Sequence, residues 1–208
     1  MSTPLEEAPP ELARGRRLLL KREDAHELGA FKWRGALPSL RRYRDRGAEA
    51  VVTASTGNHG AATAWAAQRT GMRALVFAPE GASRAKVEAM RDLGADLHLV
   101  GTEFDEAKEL GREFAAERSL PFFEDGAEPA QFEGYGAIAT ELVEELGEPP
   151  AAVIVPVGNG ALLAGIARAL PDGERIGVVS KEAPVMALSV AAGRPVESDR
   201  SGTFADGI

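Results

Sequence analysis

Short runs of β-branched and other apolar residues alternate along the chain with longer stretches in which apolar positions recur at helical spacing. Runs of the first kind are typical of buried strands, and stretches of the second kind are typical of amphipathic helices. The predicted strands cover residues 50–54, 74–78, 97–100, 153–157 and 176–179. The predicted helices cover residues 61–69, 84–93 with Ser83 as N-cap, 103–117, 133–146 and 162–170.

Strand–helix alternation at this spacing predicts an α/β fold. The crossover connections between parallel strands are right-handed, and they place helices on both faces of a parallel sheet. The stretch from Gly147 to Pro150 is rich in glycine and proline and is predicted to be a loop within this fold.

Two glycine–asparagine loops each follow a predicted strand and precede a predicted helix. The first is Ser55-Thr56-Gly57-Asn58-His59-Gly60, and the second is Gly158-Asn159-Gly160-Ala161-Leu162. Small residues let the backbone approach a ligand, and a helix N-terminus presents N–H groups and the positive end of its dipole. Each loop is therefore a candidate anion site, for a cofactor phosphate or a substrate carboxylate. An ordinary tight turn is the alternative for either loop.

A dinucleotide is disfavoured as the ligand of the second loop. The dinucleotide fingerprint has the form Gly-x-Gly-x-x-Gly. Leu163 occupies the position of the third glycine, and leucine is too bulky for the close helix–strand packing that glycine permits.

The composition excludes several classes of partner. The 208 residues are 44% hydrophobic and 27% charged, as in ordinary globular proteins. A net charge of -8 disfavours nucleic acid and anionic membrane surfaces. Without cysteine there is no disulfide framework, residues 1–17 lack the apolar core of a signal peptide, and no apolar run approaches the roughly 20 residues that span a bilayer. We expect a soluble, cytoplasmic protein.

Lys32 lies between two aromatic residues, Phe31 and Trp33. Most lysines are solvated surface charges, but apolar surroundings favour the neutral, nucleophilic form of an amine. We therefore expect an apolar setting for Lys32, which would make it a candidate nucleophile toward a carbonyl group.

An ordered set of motifs gives the chain a resemblance to a known family. The set comprises Lys21-Arg22-Glu23-Asp24, Phe31-Lys32-Trp33-Arg34-Gly35-Ala36, the two glycine–asparagine loops, Gly94-Ala95-Asp96 and the closing Thr203-Phe204-Ala205-Asp206-Gly207-Ile208. In this order and spacing it resembles the serine/threonine dehydratase and serine racemase family. These are pyridoxal 5'-phosphate (PLP) enzymes of the second fold type, related to the tryptophan synthase β chain.

The resemblance implies a role for each matching residue. Lys32 would form the Schiff base and move the α-proton, Phe31 would lie near the cofactor ring, and Asn58 would hydrogen-bond the 3'-oxygen of PLP. The substrate carboxylate would be held by Ser55, Thr56, Asn58 and His59, with His59 shaping the loop rather than acting as a base. The cofactor phosphate would be held by backbone N–H groups of Gly158, Asn159, Gly160, Ala161 and Leu162.

The resemblance also implies a tryptophan synthase β-like fold of two three-layer α/β domains with parallel sheets. A smaller domain, residues 50–128, would be inserted into a larger one made of residues 1–49 and 129–208. Because the family chain continues further, we expect the larger domain to be incomplete. Exposed strand edges and an apolar face would then favour a homo-oligomer.

The implied activity is β-elimination, which converts a hydroxy amino acid such as L-threonine or L-serine to a 2-oxo acid and ammonia. Thr56 is a second candidate catalytic residue, because a hydroxyl on the face opposite Lys32 suits racemisation. Three alternatives stay open: racemisation, β-replacement and a truncated PLP-binding remnant without turnover.

The chain departs from the family pattern in three regions. Ala30 stands where serine is common, and Gly158-Asn159-Gly160-Ala161 replaces a tetrad of glycines. Val179 stands near the position of a glutamate that binds a divalent cation in the family. Valine has no metal ligand, so no metal is expected there.

Overall fold

The computed structural model describes residues 1–170, 172–199, 202, 203 and 205. In chain order the elements are β1 (Leu5–Glu7), α1 (Pro10–Ala13), β2 (Leu19–Lys21), a 3₁₀ turn (Glu23–Ala25), α2 (Trp33–Asp45), β3 (Ala50–Ala54), α3 (Asn58–Thr70), β4 (Arg73–Ala78), α4 (Arg84–Asp92), β5 (Asp96–Leu99), α5 (Phe104–Glu117), α6 (Pro129–Leu146), β6 (Ala152–Pro156), α7 (Ala161–Ala169), β7 (Glu174–Val178) and α8 (Val185–Ala192).

Every predicted strand and helix is present, with bounds shifted by four residues at most. Ser83 is the N-cap residue of α4, but its side chain makes no capping hydrogen bond, contrary to the expectation. The closing Thr203–Ile208 motif lies largely outside the described residues.

The chain divides into two compact units, Met1–Gly134 (unit 1) and Tyr135–Ile208 (unit 2). Unit 1 contains the antiparallel pair β1-β2 and the parallel sheet β3-β4-β5, and unit 2 contains the parallel pair β6-β7. The expected α/β class with parallel sheets is therefore confirmed.

The parallel sheet of unit 1 is covered on both faces. Because side chains alternate along a strand, β3 sends Val51 to one face and Ala50 and Val52 to the other. The first face packs against α2 and α3, and the second against α5. The sheet continues past β3 through a parallel bridge between Val52 and Phe122, which brings the segment after Phe122 to the end of β3.

Helix α2 buries one stripe of its surface. Trp33, Ala36, Leu40 and Tyr43 recur every three or four residues and are all buried, as the helical period requires. They pack with Trp65 of α3, which is fully buried. The position of α2 therefore fixes the residue that precedes it, Lys32.

In unit 2 the side chains of strand β6 also alternate between buried and exposed positions. Val153 and Val155 are buried, whereas Ile154 is 60% exposed.

Among the described helices of the chain, none is long and apolar enough to cross a bilayer.

Candidate functional site

Lys32 is the residue immediately before the first turn of α2. Its carbonyl oxygen accepts hydrogen bonds from the N–H groups of Gly35 and Ala36, at 3.2 and 3.0 Å. Its Nζ lies 5.1 Å from the centre of the Phe31 ring. The first turn of the helix thus fixes the backbone of Lys32, and the half-buried Phe31 lies beside its amine.

The surroundings of the Lys32 amine are not apolar, contrary to the expectation. Its Nζ forms an ion pair with Oδ2 of Asp125, and the Lys32 side chain is 17% exposed. This carboxylate contacts the amine more closely than the Phe31 ring does. The sequence did not indicate this contact, because 93 residues separate the two partners.

The network behind α2 joins two of the motifs noticed in the sequence. Arg34 donates from Nε and Nη2 to the two carboxylate oxygens of Glu23, at 2.7 and 2.9 Å. The Thr3 hydroxyl donates to Glu23 at 2.6 Å and accepts from Arg34 at 3.1 Å. The Arg34 side chain is only 2% exposed. This paired guanidinium anchors the turn of helix that carries Lys32.

The first glycine–asparagine loop follows β3 and leads into α3. The backbone N–H of Ser55 donates to the carbonyl of Phe77 at 3.0 Å, and its Oγ accepts from the N–H of Gly57 at 3.1 Å. Ser55 is buried, Thr56 is half-buried, and Asn58, the first residue of α3, is exposed. The start of the loop is therefore held by the hydrogen bonds of Ser55, and the helix N-terminus that follows it is accessible.

His59 connects this loop to the segment that carries Asp125. Its Nε2 lies 3.2 Å from the carbonyl oxygen of Phe123, and its Nδ1 lies 3.7 Å from Oδ1 of Asp125. Burial lowers the pKa of His59, and the nearby Asp125 charge opposes that shift only in part. A neutral ring that donates from Nε2 to a carbonyl supports the shaping role expected for His59.

Lys86 is a basic residue that no motif in the sequence singles out. It belongs to α4, and its Cδ and Nζ each lie 3.8 Å from the position that a Cβ on Gly57 would take. A cation beside an accessible helix N-terminus strengthens its attraction for anions. Lys86 therefore adds positive charge to the candidate carboxylate loop.

The second glycine–asparagine loop belongs to unit 2, between β6 and α7. Gly160 has a φ of +86°, and the Oδ1 of Asn159 accepts from the N–H of Ala161 at 3.1 Å. A side chain rarely adopts such a φ, which explains the need for glycine at this turn. Ala161 and Leu162 are buried, Gly158 and Gly160 are half-buried, and Asn159 is exposed. Glycine backbone therefore lines the approach to the N-terminus of α7.

Unit 1 therefore brings Lys32, with Phe31 beside it, and His59, which follows the Ser55–Asn58 loop, to the carboxylate of Asp125. The candidate phosphate loop belongs to unit 2. Among the residues that the structure describes, no three His, Cys, Asp or Glu side chains are grouped for a metal ion.

Comparison with known proteins identifies the family. The biosynthetic L-threonine dehydratase of Pasteurella multocida is 37% identical over 199 residues, which cover 93% of this chain and 39% of that protein. The processed threonine deaminase isoform 2 of Solanum lycopersicum superimposes with a TM-score of 0.91 at 34% identity, over 100% of this chain and 59% of that one. Maize serine racemase superimposes with a TM-score of 0.92 at 29% identity, over 99% of this chain and 64% of that one.

The chain thus spans about two fifths of the curated relative named above. The family model described as pyridoxal-phosphate dependent enzyme matches residues 1–208. It confirms the resemblance noticed in the sequence, the fold class and the cofactor, pyridoxal phosphate. This chain belongs to the family of pyridoxal-phosphate dependent enzymes.

Proposed function

We propose that this protein is a PLP-dependent ammonia-lyase that converts a hydroxy amino acid such as L-threonine or L-serine to a 2-oxo acid and ammonia. The observation that carries the proposal is that the Lys32 amine and His59, the residue after the Ser55–Asn58 loop, both lie at the Asp125 carboxylate. A lysine is the group that attaches PLP, and an anion-binding loop near it suits an amino-acid carboxylate. The names of the dehydratase and deaminase relatives support the substrate class.

The loop from Gly158 to Leu162 fits a phosphate. Its residues carry no acidic side chain, and the left-handed Gly160 leads directly into the N-terminus of the nine-residue helix α7. Backbone N–H groups and the positive end of a helix dipole suit a dianion. Replacement of family glycines by Asn159 and Ala161 retains these backbone donors.

Lys32 and Phe31 fit the reactive end of the cofactor. When bound, PLP supplies an electron sink for the pair of electrons left on the α-carbon. Lys32 takes the α-proton on its Nζ, which requires the amine to be neutral and released from Asp125. Positioned proton transfer of this kind contributes about 10² to 10⁴ in rate. The Phe31 ring, whose centre lies 5.1 Å from the amine, is assigned to the neighbourhood of the cofactor ring.

The carboxylate of the substrate is assigned to Ser55, Thr56 and Asn58, at the start of α3. Helix N–H groups and the ammonium of Lys86 attract this carboxylate, and the buried His59 holds the turn in place from behind. Asn58, which is exposed on the first turn of α3, is also assigned to the 3'-oxygen of PLP. These residues bind and orient, and the proton is moved by Lys32.

Racemisation is the second candidate function. The fit to maize serine racemase, with a TM-score of 0.92, and the half-buried hydroxyl residue Thr56 both favour it. In this case Thr56 returns a proton to the α-carbon on the face opposite Lys32. Product analysis separates the reactions, because elimination from L-serine or L-threonine gives pyruvate or 2-oxobutyrate and racemisation of L-serine gives D-serine.

The attachment of PLP is tested by borohydride reduction followed by peptide mass spectrometry. We expect the cofactor on the peptide that contains Lys32, its loss in Lys32→Ala, and its retention in the control Lys181→Ala, which removes an exposed lysine of unit 2. Attachment at another lysine refutes the assignment. Attachment at Lys32 without any product from either substrate identifies the protein as a non-catalytic PLP-binding remnant.

We further propose a cytoplasmic homo-oligomer with a small domain at residues 50–128 and a large domain at residues 1–49 and 129–208. Exposed Ile154, Ile176 and Val178 on the β6-β7 pair support association, because apolar groups of this size are usually covered. Light scattering tests it: a stable monomer of 21.9 kDa refutes the oligomer.

A further inference from the structure

Asp125 is a carboxylate that neither motif nor resemblance assigns to the site. Its Oδ2 pairs with the Lys32 amine and its Oδ1 lies 3.7 Å from Nδ1 of His59. The side chains of Lys32 and Asp125 are 17% and 27% exposed. A pair shielded to this degree is screened less by water than an exposed one.

The segment that carries Asp125 is held on both sides. Before it, the N–H of Phe123 donates to the carbonyl of Val52 at 2.7 Å, and the carbonyl of Phe123 accepts from the Thr53 hydroxyl at 2.7 Å. After it, the N–H of Gly126 donates to Oε1 of the fully buried Gln131 at 2.9 Å. The backbone on either side of Asp125 is therefore held by β3 and α6 without the help of Lys32.

The preceding residue, Glu124, faces a different set of cations. Its two carboxylate oxygens pair with Lys108 at 2.5 Å and Arg112 at 2.6 Å, both on α5. These bonds lower the pKa of Glu124. The adjacent carboxylates of Glu124 and Asp125 therefore pair with different cations. Asp125 pairs with Lys32, and Glu124 pairs with Lys108 and Arg112.

We propose that Asp125 is a positioning residue whose ion pair with Lys32 Nζ holds the amine and delays its attack on a carbonyl carbon. An ammonium has no lone pair with which to attack a carbonyl carbon, so the ion pair must open before Lys32 reacts. Asp125 therefore sets how readily Lys32 becomes available. The proposal rests on the proposed function only in taking Lys32 as the attachment lysine.

The test compares the acylation rates of individual lysines in the chain without PLP. Each variant is treated with acetic anhydride for short times, and mass spectrometry gives the rates at Lys32, at Lys108 and at the exposed Lys181. Asp125→Asn is expected to raise the rate at Lys32 relative to Lys181 by about fivefold or more, since fivefold is the upper end of the range for solvent-exposed pairs. Glu124→Gln is the matched control, and it is expected to raise the rate at Lys108 and leave Lys32 unchanged.

A second variant, Asp125→Ser, guards against misfolding of the first. It also removes the charge, and it is expected to raise the Lys32 rate relative to Lys181 as Asp125→Asn does. Equal Lys32 rates in the unaltered chain and in a folded variant without the Asp125 charge overturn the proposal. Borohydride trapping in the same variants is a separate readout: PLP attached at a lysine other than Lys32 refutes the proposed function and leaves the acylation result on Asp125 intact.

Discussion

Replacing Glu23 with glutamine removes the charge that compensates the Arg34 guanidinium. The side chains of Arg34 and Glu23 are 2% and 16% exposed, so water cannot take over the lost interaction. Removal of one partner from a buried ion pair costs about 3–5 kcal/mol, because the other charge stays buried without compensation. We expect Glu23→Gln to lower the free energy of unfolding of unit 1 by an amount in this range.

The matched control is Glu88→Gln, which breaks an ion pair on the surface of α4. There the side chains of Arg84 and Glu88 are 91% and 53% exposed, and such pairs contribute about 0.3–0.5 kcal/mol. A double variant, Glu23→Met with Arg34→Met, removes both buried charges together. It is expected to recover most of the stability lost by Glu23→Gln, because no isolated charge remains.

Urea unfolding followed by tryptophan fluorescence measures these differences. Both tryptophans of the chain, Trp33 and Trp65, belong to unit 1 and are buried, so the signal reports on this unit. A loss for Glu23→Gln within about 1 kcal/mol of the surface control would refute the reasoning, since that size is typical of an exposed pair.

Three further changes test the pH dependence, the packing of α6 and the phosphate loop. Burial lowers the pKa of His26 and of His59 below 6.5. Below pH 6.5 the unfolded chain therefore binds protons that the folded chain does not. The free energy of unfolding falls as the pH drops, by up to about 1.4 kcal/mol per pH unit for each histidine. His59→Asn should reduce this slope below pH 6.5, by at most one proton, in urea titrations, and an unchanged slope contradicts the shift. Gly134→Ala should destabilise unit 1 by about 1–3 kcal/mol or more, because its Cβ would lie 1.9 Å from the carbonyl oxygen of Arg34; a variant as stable as the unaltered chain contradicts this packing. Gly158→Asp should weaken PLP binding strongly in a titration, because its carboxylate repels a phosphate, and unchanged affinity places the phosphate elsewhere.

The sequence predicted the central elements because their signals are local. The strand over residues 50–54 and the helix that ends at Gly71 follow from β-branched runs, apolar period and a glycine stop, and the structure has β3 at Ala50–Ala54 and the C-cap of α3 at Gly71. Helix α2 was missed although Trp33, Ala36, Leu40 and Tyr43 have helical spacing. Pro38, which lies inside this helix, and the arginines around Tyr43 hide the pattern.

The site was predictable only where its chemistry follows from short motifs. Lys32 and both glycine–asparagine loops stand out as local patterns, and their roles come from the family resemblance. Asp125 and Lys86 reach the site through tertiary folding alone, from sequence positions that no local period connects to Lys32. The expected apolar setting of Lys32 was wrong for this reason: its sequence neighbours are aromatic, but its spatial neighbour is a carboxylate.

Two ion pairs hold the turn of chain around Lys32, Glu23–Arg34 and Lys32–Asp125, and they close loops of very different length. Glu23 and Arg34 are 11 residues apart, whereas Lys32 and Asp125 are 93 apart. The entropy of closing the longer loop costs about 2 kcal/mol more, and contacts of high sequence separation form slowly. During synthesis, the residues that anchor the Lys32 turn all emerge early, but Lys32 meets its carboxylate only after Asp125 has left the ribosome. The surroundings of the Lys32 amine are therefore assembled in two stages: its helix is anchored first, and its ion pair with Asp125 forms last.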